Sequence, residues 1–284
     1  MKLGVISDCF GRPMKESIAL AGELKLDGIQ MYAVGGEFCP DALLGYADRI
    51  EEYKKILKEN RLTVSALCGD LGGHGFEIEA DNAARIEKTN RIVDLACELG
   101  TTVVTTHIGV IPEDTESDKY RVMLRALQTC GAYAAEKGVT LAIETGPETA
   151  SVLAEFVKRA GKGVGVNLDP ANFVMVTGQD PAEAVYLLKD FIVHTHLKDG
   201  KMLKKSNPLE IYNHFAEGGI EALNVADYFI ETPVGEGDVD FVAYIAALKA
   251  IGYDGFLTIE RETGDDPCAD IGKAVAYARE NFDL

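Results

Sequence analysis

Eight short apolar runs alternate with eight longer amphipathic stretches, and this alternation predicts a repeated β/α unit. The runs are 2–7 (KLGVIS), 28–32 (GIQMY), 62–68 (LTVSALC), 102–106 (TVVTT), 139–144 (VTLAIE), 163–168 (GVGVNL), 191–197 (FIVHTHL) and 255–260 (GFLTIE). Most are rich in Val, Ile and Thr. Several are apolar on both faces, as parallel strands covered by helices must be. The stretches between them are 13–24, 41–59, 79–99, 117–137, 149–159, 180–188, 239–250 and 267–281. Pro13 suits a first helical turn, and Gly100 and Gly138 stand where helices stop. Eight strands and eight helices in 284 residues predict an α/β fold, a (β/α)8 TIM barrel in a single domain over 1–284. The rival, an open doubly wound sheet, would carry a glycine-rich first turn. Here that turn is SDCFGRP, without GxGxxG, and no GxxxxGK[ST] occurs anywhere.

One region breaks the repeat. Residues 198–238 separate the seventh strand from the next helix. A connection this long is usually functional or carries structure of its own. Following a strand, it is expected over the C-terminal face of the barrel as a lid or wall. Its apolar and aromatic residues at 209–230 are a candidate subunit contact for a homo-oligomer.

Charge narrows the partners. There are 46 acidic and 28 basic residues, a net charge of -18. Such a surface repels a phosphate backbone, so nucleic acid is not expected as a partner. No apolar run approaches the ~20 residues that span a membrane. The opening MKLGVISDCF lacks a signal-peptide core. The six cysteines form no CxxC pair and are spread through apolar runs. Reduced thiols in a cytoplasmic protein are expected.

Candidate chemistry sits at the strand ends. Glu144 (LAIETG), Asp169 (VNLDPAN), His196 (IVHTHLKDG) and Glu260 (FLTIERE) each close an apolar run where the chain turns polar. Barrels of this kind place their chemistry at the C-terminal ends of strands. Side chains two apart on a strand share a face. Glu144 therefore goes with Ala142, Asp169 with Asn167, His196 with His194 and Lys198, and Glu260 with Thr258. The intervening Leu141, Ile143, Val166, Leu168, Val193, Leu197, Leu257 and Ile259 are aliphatic and belong under the helices. The polar set then points into the barrel. Three neighbouring carboxylates repel one another unless a cation joins them. Three oxygens and an imidazole suit one divalent metal ion, Mn, Co or Mg, with Zn possible. A small carbohydrate or polyol substrate is expected. Taken singly, each residue has a plainer role: Asp169 before Pro170 suits a helix cap, and a strand histidine suits a core. His107 ends the fourth run and is expected to touch substrate or orient a glutamate. Lys198 is expected to neutralise an enolate or phosphate. Asp70 and His74, on the glycine-rich CGDLGGHGF segment, are expected near substrate. Glu262 is a rival ligand to Glu260.

The motifs IETG, NLDPAN with Asn172, HLKD, VGEGDVDF and YDGFLTIERE span the chain. Together they make it resemble the xylose isomerase-like barrel superfamily, the sugar phosphate isomerase/epimerase group related to endonuclease IV. The resemblance implies that Glu144, Asp169, His196 and Glu260 bind one metal and that Glu144 and Glu260 also move substrate protons. It adds Asn172 to the substrate-binding set. Proton abstraction beside a carbonyl leads through an enediolate to an isomerase or epimerase. Loss of a β-hydroxyl instead gives a dehydratase or lyase acting on an inosose or other keto-sugar. Ketohexose 3-epimerases of the superfamily tend to carry His where Asn172 stands and an Arg shortly after the metal His, where this chain has KDGKM. Both departures favour dehydratase-like chemistry. A DNA repair endonuclease of this group would hold three metals with many more than the five histidines present. A non-catalytic sugar-binding barrel would have no need of two proton-transfer glutamates.

Overall fold

The computed structural model describes residues 1–219 and 223–283; residues 220–222 of the long connection lie outside them. In chain order the elements are β1 (Lys2–Ile6), α1 (Met14–Glu23), β2 (Gly28–Tyr32), α2 (Pro40–Leu43), α3 (Ala47–Glu59), β3 (Thr63–Cys68), α4 (Glu79–Leu99), β4 (Val103–Thr106), α5 (Asp118–Glu136), β5 (Thr140–Glu144) and α6 (Ala150–Ala160). There follow β6 (Val164–Leu168), α7 (Pro170–Asn172), α8 (Pro181–Leu188), β7 (Ile192–Leu197), β8 (Asp199–Met202), α9 (Pro208–Ala216), β9 (Phe229–Thr232), α10 (Phe241–Ala250), β10 (Phe256–Ile259) and α11 (Pro267–Asn281). Eight parallel strands close into a barrel in the order β1-β2-β3-β4-β5-β6-β7-β10. This is the (β/α)8 architecture expected from the pattern, and all eight expected strands are present.

Local chemistry sets the helix boundaries. Ser117, Asp180, Asp240 and Asp266 each accept a backbone N–H from the first turn that follows, at α5, α8, α10 and α11. Such caps satisfy donors that have no partner inside the helix. The stretch 41–59, expected as one helix, is two. Gly45 takes the left-handed conformation, with φ 88°, between α2 and α3, and the helical ladder breaks there.

Strand alternation holds with one exception. Leu141, Ile143, Val166, Leu168, Leu197, Leu257 and Ile259 are buried in the core beneath the helices. Val193 was expected among them. It packs instead with Ala66, Val103 and Ala142. The β6–β7 register jumps from Val166↔Ile192 to Asn167↔His194, so Val193 is the extra residue of a bulge. Beyond that bulge, His194 and His196 keep the parity that turns them inward.

The long connection is organised rather than loose. β8 and β9 pair antiparallel as a two-stranded ribbon, and α9 lies between them in sequence. Asp199, first residue of β8, ties the ribbon to the segment before α10. Its carboxylate accepts the backbone N–H groups of Gly200, Gly235, Gly237 and Val239, at 2.9 to 3.2 Å. A Cβ at residue 237 would lie 2.0 Å from Asp199 Oδ1, so only glycine fits there. Among the described residues no helix is long and apolar enough to cross a membrane.

Candidate active site

The C-terminal ends of the strands surround a cavity of about 690 Å³. Glu144 and Glu260 line it; Asp169 and His196 are fully buried beside them. Glu144 is the last residue of β5. Asp169 and Glu260 each stand one residue beyond β6 and β10, and His196 is next to last on β7. Each offers one donor atom, and these atoms all lie within 4.8 Å of one another.

The central atom is His196 Nδ1. It lies 2.7 Å from Glu260 Oε2, 3.3 Å from Asp169 Oδ2 and 3.5 Å from Glu144 Oε1. Burial alone would keep this imidazole neutral, but Glu260, Glu144 and Asp169 outweigh it and raise its pKa well above the usual value. Glu260 Oε2 is buried and, despite the short approach of His196, makes no hydrogen bond of good geometry. A buried carboxylate oxygen held by an ion pair without a well-aligned hydrogen bond is poorly satisfied. A divalent cation among these donors would satisfy it and remove the mutual repulsion of three carboxylates. The donor set therefore fits a metal ion, with Glu144, Asp169, His196 and Glu260 as its holders. Asp169 also serves as a cap: its Oδ1 accepts Asn172 N–H at 3.0 Å, leaving Oδ2 to face the site.

A second layer aims the donors. Metal binding at Nδ1 requires the proton of His196 on Nε2. Gln30 Oε1, on β2, is 3.3 Å from that nitrogen and 3.0 Å from His194 Nε2, while Gln30 Nε2 donates to Thr105 Oγ1 at 3.2 Å. Asn167 Nδ2 donates to Glu144 Oε2 at 3.2 Å. Asn172 Nδ2 donates to the Thr145 carbonyl at 2.9 Å and reaches Glu144 Oε1 at 3.5 Å. His194 is held neutral by its burial and the charge of His196. It is the core histidine of the pair.

Two cations face the cavity through carboxylates. Lys198 Nζ is 2.8 Å from Glu262, 3.3 Å from Glu260 and 3.8 Å from Glu231. Burial would discharge it, yet these carboxylates and Asp169 keep it protonated, with its pKa well raised. Lys198 and His196 in turn hold Glu260 below the usual carboxylate range against the effect of burial. His107 Nδ1 lies 3.1 Å from Asp70, and its Nε2 is 3.9 Å from Glu144. Although burial opposes the charge, Glu144 and Asp70 push His107 up to about 10.

The cavity thus gathers His107, Lys198, Asn172 and Asp70 around the four donors. It does not gather His74, whose ring pairs with Glu217 at 3.7 Å away from the cavity lining. The loop borders the cavity through Asp70, Gly72 and Gly73, and Gly73 and Gly75 on either side of His74 take left-handed φ. Glu262 stands outside the donor cluster as the exposed partner of Lys198. Sequence reasoning missed Gln30 and Glu231. A polar side chain with inward parity in GIQMY was the signal for Gln30. Glu231 had none, because β9 lies in the irregular segment. Glu231 accepts Arg261 Nη1 and the N–H of Glu262, both at 2.9 Å, and so fastens the ribbon to the end of β10.

Fold and site together define a (β/α)8 barrel with a buried carboxylate–imidazole centre able to hold a metal ion. Residues 18–281 match the family model of the xylose isomerase-like TIM barrel, and the chain belongs to that family. It is 26% identical over 175 residues to the inosose dehydratase of Geobacillus thermodenitrificans, covering 59% of this chain and 56% of that protein. Its fold is similar to that of a xylose isomerase domain protein from Planctomyces limnophilus, with TM-score 0.77, 25% identity and 98% and 95% of the two chains covered. A D-tagatose 3-epimerase-like protein superposes with TM-score 0.72 at 20% identity, covering 99% of each chain.

Proposed function

We propose that this protein is a divalent-metal-dependent isomerase or epimerase of a small sugar, working by proton abstraction beside a carbonyl. The observation that carries the proposal is the convergence of three carboxylates and one imidazole beside a cavity, with a buried Glu260 oxygen that faces His196 without a hydrogen bond of good geometry. Mn, Co or Mg suits three oxygens and a nitrogen; such an ion, when bound, polarises a substrate carbonyl and acidifies the neighbouring C–H. Glu144 and Glu260 approach from β5 and β10 with two strands between them. One takes the substrate proton and the other returns it. Lys198 beside Glu260 keeps that carboxylate ionised and ready to accept. Asn172 and Asn167 fix the carboxylate of Glu144. The family relative named a D-tagatose 3-epimerase-like protein supports the same class of reaction.

Dehydration of an inosose or related cyclic ketone is the second reading, and His107 favours it. Held protonated beside Asp70 and close to Glu144, His107 is placed to give a proton to a departing hydroxyl. The similarity to an inosose dehydratase points the same way.

One experiment separates these outcomes. The protein is stripped with chelator, reloaded with Mn and counted for metal, with Asp169→Ala as control. The loaded enzyme is then incubated with a panel of keto-sugars and inososes in D2O. About one ion per chain, lost in the variant, with deuterium entering a C–H and product mass otherwise unchanged, is the expected result. A product lighter by one water selects the dehydratase. No bound metal, or no C–H exchange with any substrate, refutes the proposal.

A further inference from the structure

The helix α9 faces the cavity rather than the packed core. Pro208, Ile211, Tyr212, Phe215 and Ala216 line the cavity, and Ile211 is the one buried side chain of the helix. Leu209 and Phe215 are exposed. A helix of nine residues does not hold by itself in water. With so little apolar surface packed beneath it, α9 belongs to the part of the molecule that opens first. The ribbon supplies its base, where the N–H groups of Leu203 and Lys204 donate to the Tyr228 carbonyl at 2.7 and 3.0 Å. At its other end Gly218 and Gly219 take φ 74° and 115°, and glycine there admits the backbone rotation of a hinge.

Across the cavity mouth stands the loop 69–75, and it is fixed. Phe76 N–H donates to the Ile108 carbonyl at 2.8 Å, and a Cβ on Gly75 would lie 2.1 Å from the Ile108 carbonyl carbon. α9 reaches this loop at two points. Tyr212 Oη donates to the Gly73 carbonyl at 3.3 Å, and Glu217 pairs with His74 at 3.7 Å. Burial, with Asp70 and Glu77, raises the pKa of the Tyr212 hydroxyl, so it stays a donor. The Glu217–His74 pair is largely in water and adds little. The same loop carries Asp70, whose carboxylate accepts Gly72 N–H at 2.8 Å and faces His107 Nδ1 at 3.1 Å.

We propose that α9 is a lid on the cavity, held shut by the Tyr212–Gly73 hydrogen bond, and that ligands pass between α9 and the loop 69–75 when that bond opens. Closure joins the lid to the segment that sets Asp70 beside His107. The proposal does not depend on which reaction the donor cluster performs.

The test uses the full chain with no added ligand or metal. Hydrogen exchange read by mass spectrometry follows the amides of α9. Labelling by methyl methanethiosulfonate follows Cys68, which lines the cavity and is 6% exposed. Cys130, fully buried and off the cavity lining, reports opening of the barrel itself. Loss of one neutral hydrogen bond in Tyr212→Phe should raise the open population about 3–10-fold. The expected result is a rise of that size in both α9 exchange and Cys68 labelling, with Cys130 labelling unchanged. Glu217→Gln, an exposed substitution, should give a smaller rise in both. Faster α9 exchange without faster Cys68 labelling makes α9 a fixed wall and overturns the proposal. Unchanged rates in Tyr212→Phe overturn it, as does a larger effect from Glu217→Gln. Cys130 labelling that rises with Cys68 also overturns it, because the barrel then opens as a whole.

Discussion

Glu148 offers a measurement in which burial alone sets the sign and size of the effect. It is 7% exposed, four residues after Glu144, in the loop whose Gly146 and Pro147 line the cavity. Burial pushes its carboxyl up from 4.5 to about 8, with only its own backbone N–H and His107 opposing. Below pH 4.5 both folded and unfolded chains hold the proton, and stability does not change with pH on this account. Between 4.5 and about 8 the unfolded chain releases the proton while the folded chain keeps it, so stability falls as pH rises. Above about 8 both forms are ionised and the loss is complete. At about 1.4 kcal/mol for each pH unit, the full loss is on the order of 5 kcal/mol. Glu148→Gln keeps the shape and cannot ionise. Its stability relative to wild type should rise by several kcal/mol from pH 5 to pH 9. Urea unfolding followed by far-ultraviolet circular dichroism reads this directly, since the chain has no tryptophan. The difference between the two proteins removes the contributions of other titrating groups. A difference that stays flat across this range would refute the argument that a buried, poorly compensated carboxyl is present.

Glu144→Gln should leave the circular dichroism unchanged and lower C–H exchange by about 10²–10⁴-fold, the usual worth of a positioned proton-transfer group; exchange at the wild-type rate refutes that role. Gln30→Leu removes the amide oxygen beside His196 Nε2, a nitrogen that also faces Asn167 Nδ2 at 3.1 Å, and should weaken Mn binding by about 10–100-fold, as loss of groups behind a metal ligand commonly does. Calorimetric titration of the metal-free protein checks this, and unchanged affinity would mean that Gln30 serves only packing. Lys198→Met takes from buried Glu260 the ammonium 3.3 Å away and should destabilise the metal-free protein in urea unfolding, by less than the ~3–5 kcal/mol of a fully unpaired buried charge, because His196 stays beside Glu260 and Arg261 beside Glu231. An equally stable variant would show that the carboxylates are compensated elsewhere.

The barrel was legible because two periodicities coincide in this chain. Runs of five to seven mostly apolar residues, alternating with longer amphipathic stretches, fit parallel strands buried on both faces. The four donors were legible for the same reason: inward parity at the end of a strand follows from alternation once the strand is known. The failures trace to features that alternation does not carry. The bulge at Val193 adds a residue to one strand only, and nothing in FIVHTHL announces it. The ribbon of β8 and β9 has strands of four residues, DGKM and FIET, partly exposed and without an apolar run. Its pairing is set by Asp199 and its four backbone donors, a contact between residues up to 40 positions apart. His74 lies off the cavity lining, and a glycine-rich loop leaves the direction of its side chains undetermined by sequence.

The same ribbon explains how so acidic a protein keeps a usable site. Glu231 reaches from β9 to Arg261, which also binds Asp270 at 3.0 Å, and Glu231 stands near Lys198 as well. Burial raises the Glu231 carboxyl, while Lys198 and Arg261 pull it back down. Lys198 is therefore shared between Glu260 and Glu262 after β10 and Glu231 of the ribbon, and Arg261 between Glu231 of the ribbon and Asp270 of α11. The arrangement holds Lys198 beside Glu260 with both charges paired, and the ribbon adds Glu231 at 3.8 Å to Lys198. The connection 198–238 thus borders the cavity, bringing Ile211, Phe215, Phe229 and Ile230 to its lining and Glu231 to Lys198 and Arg261.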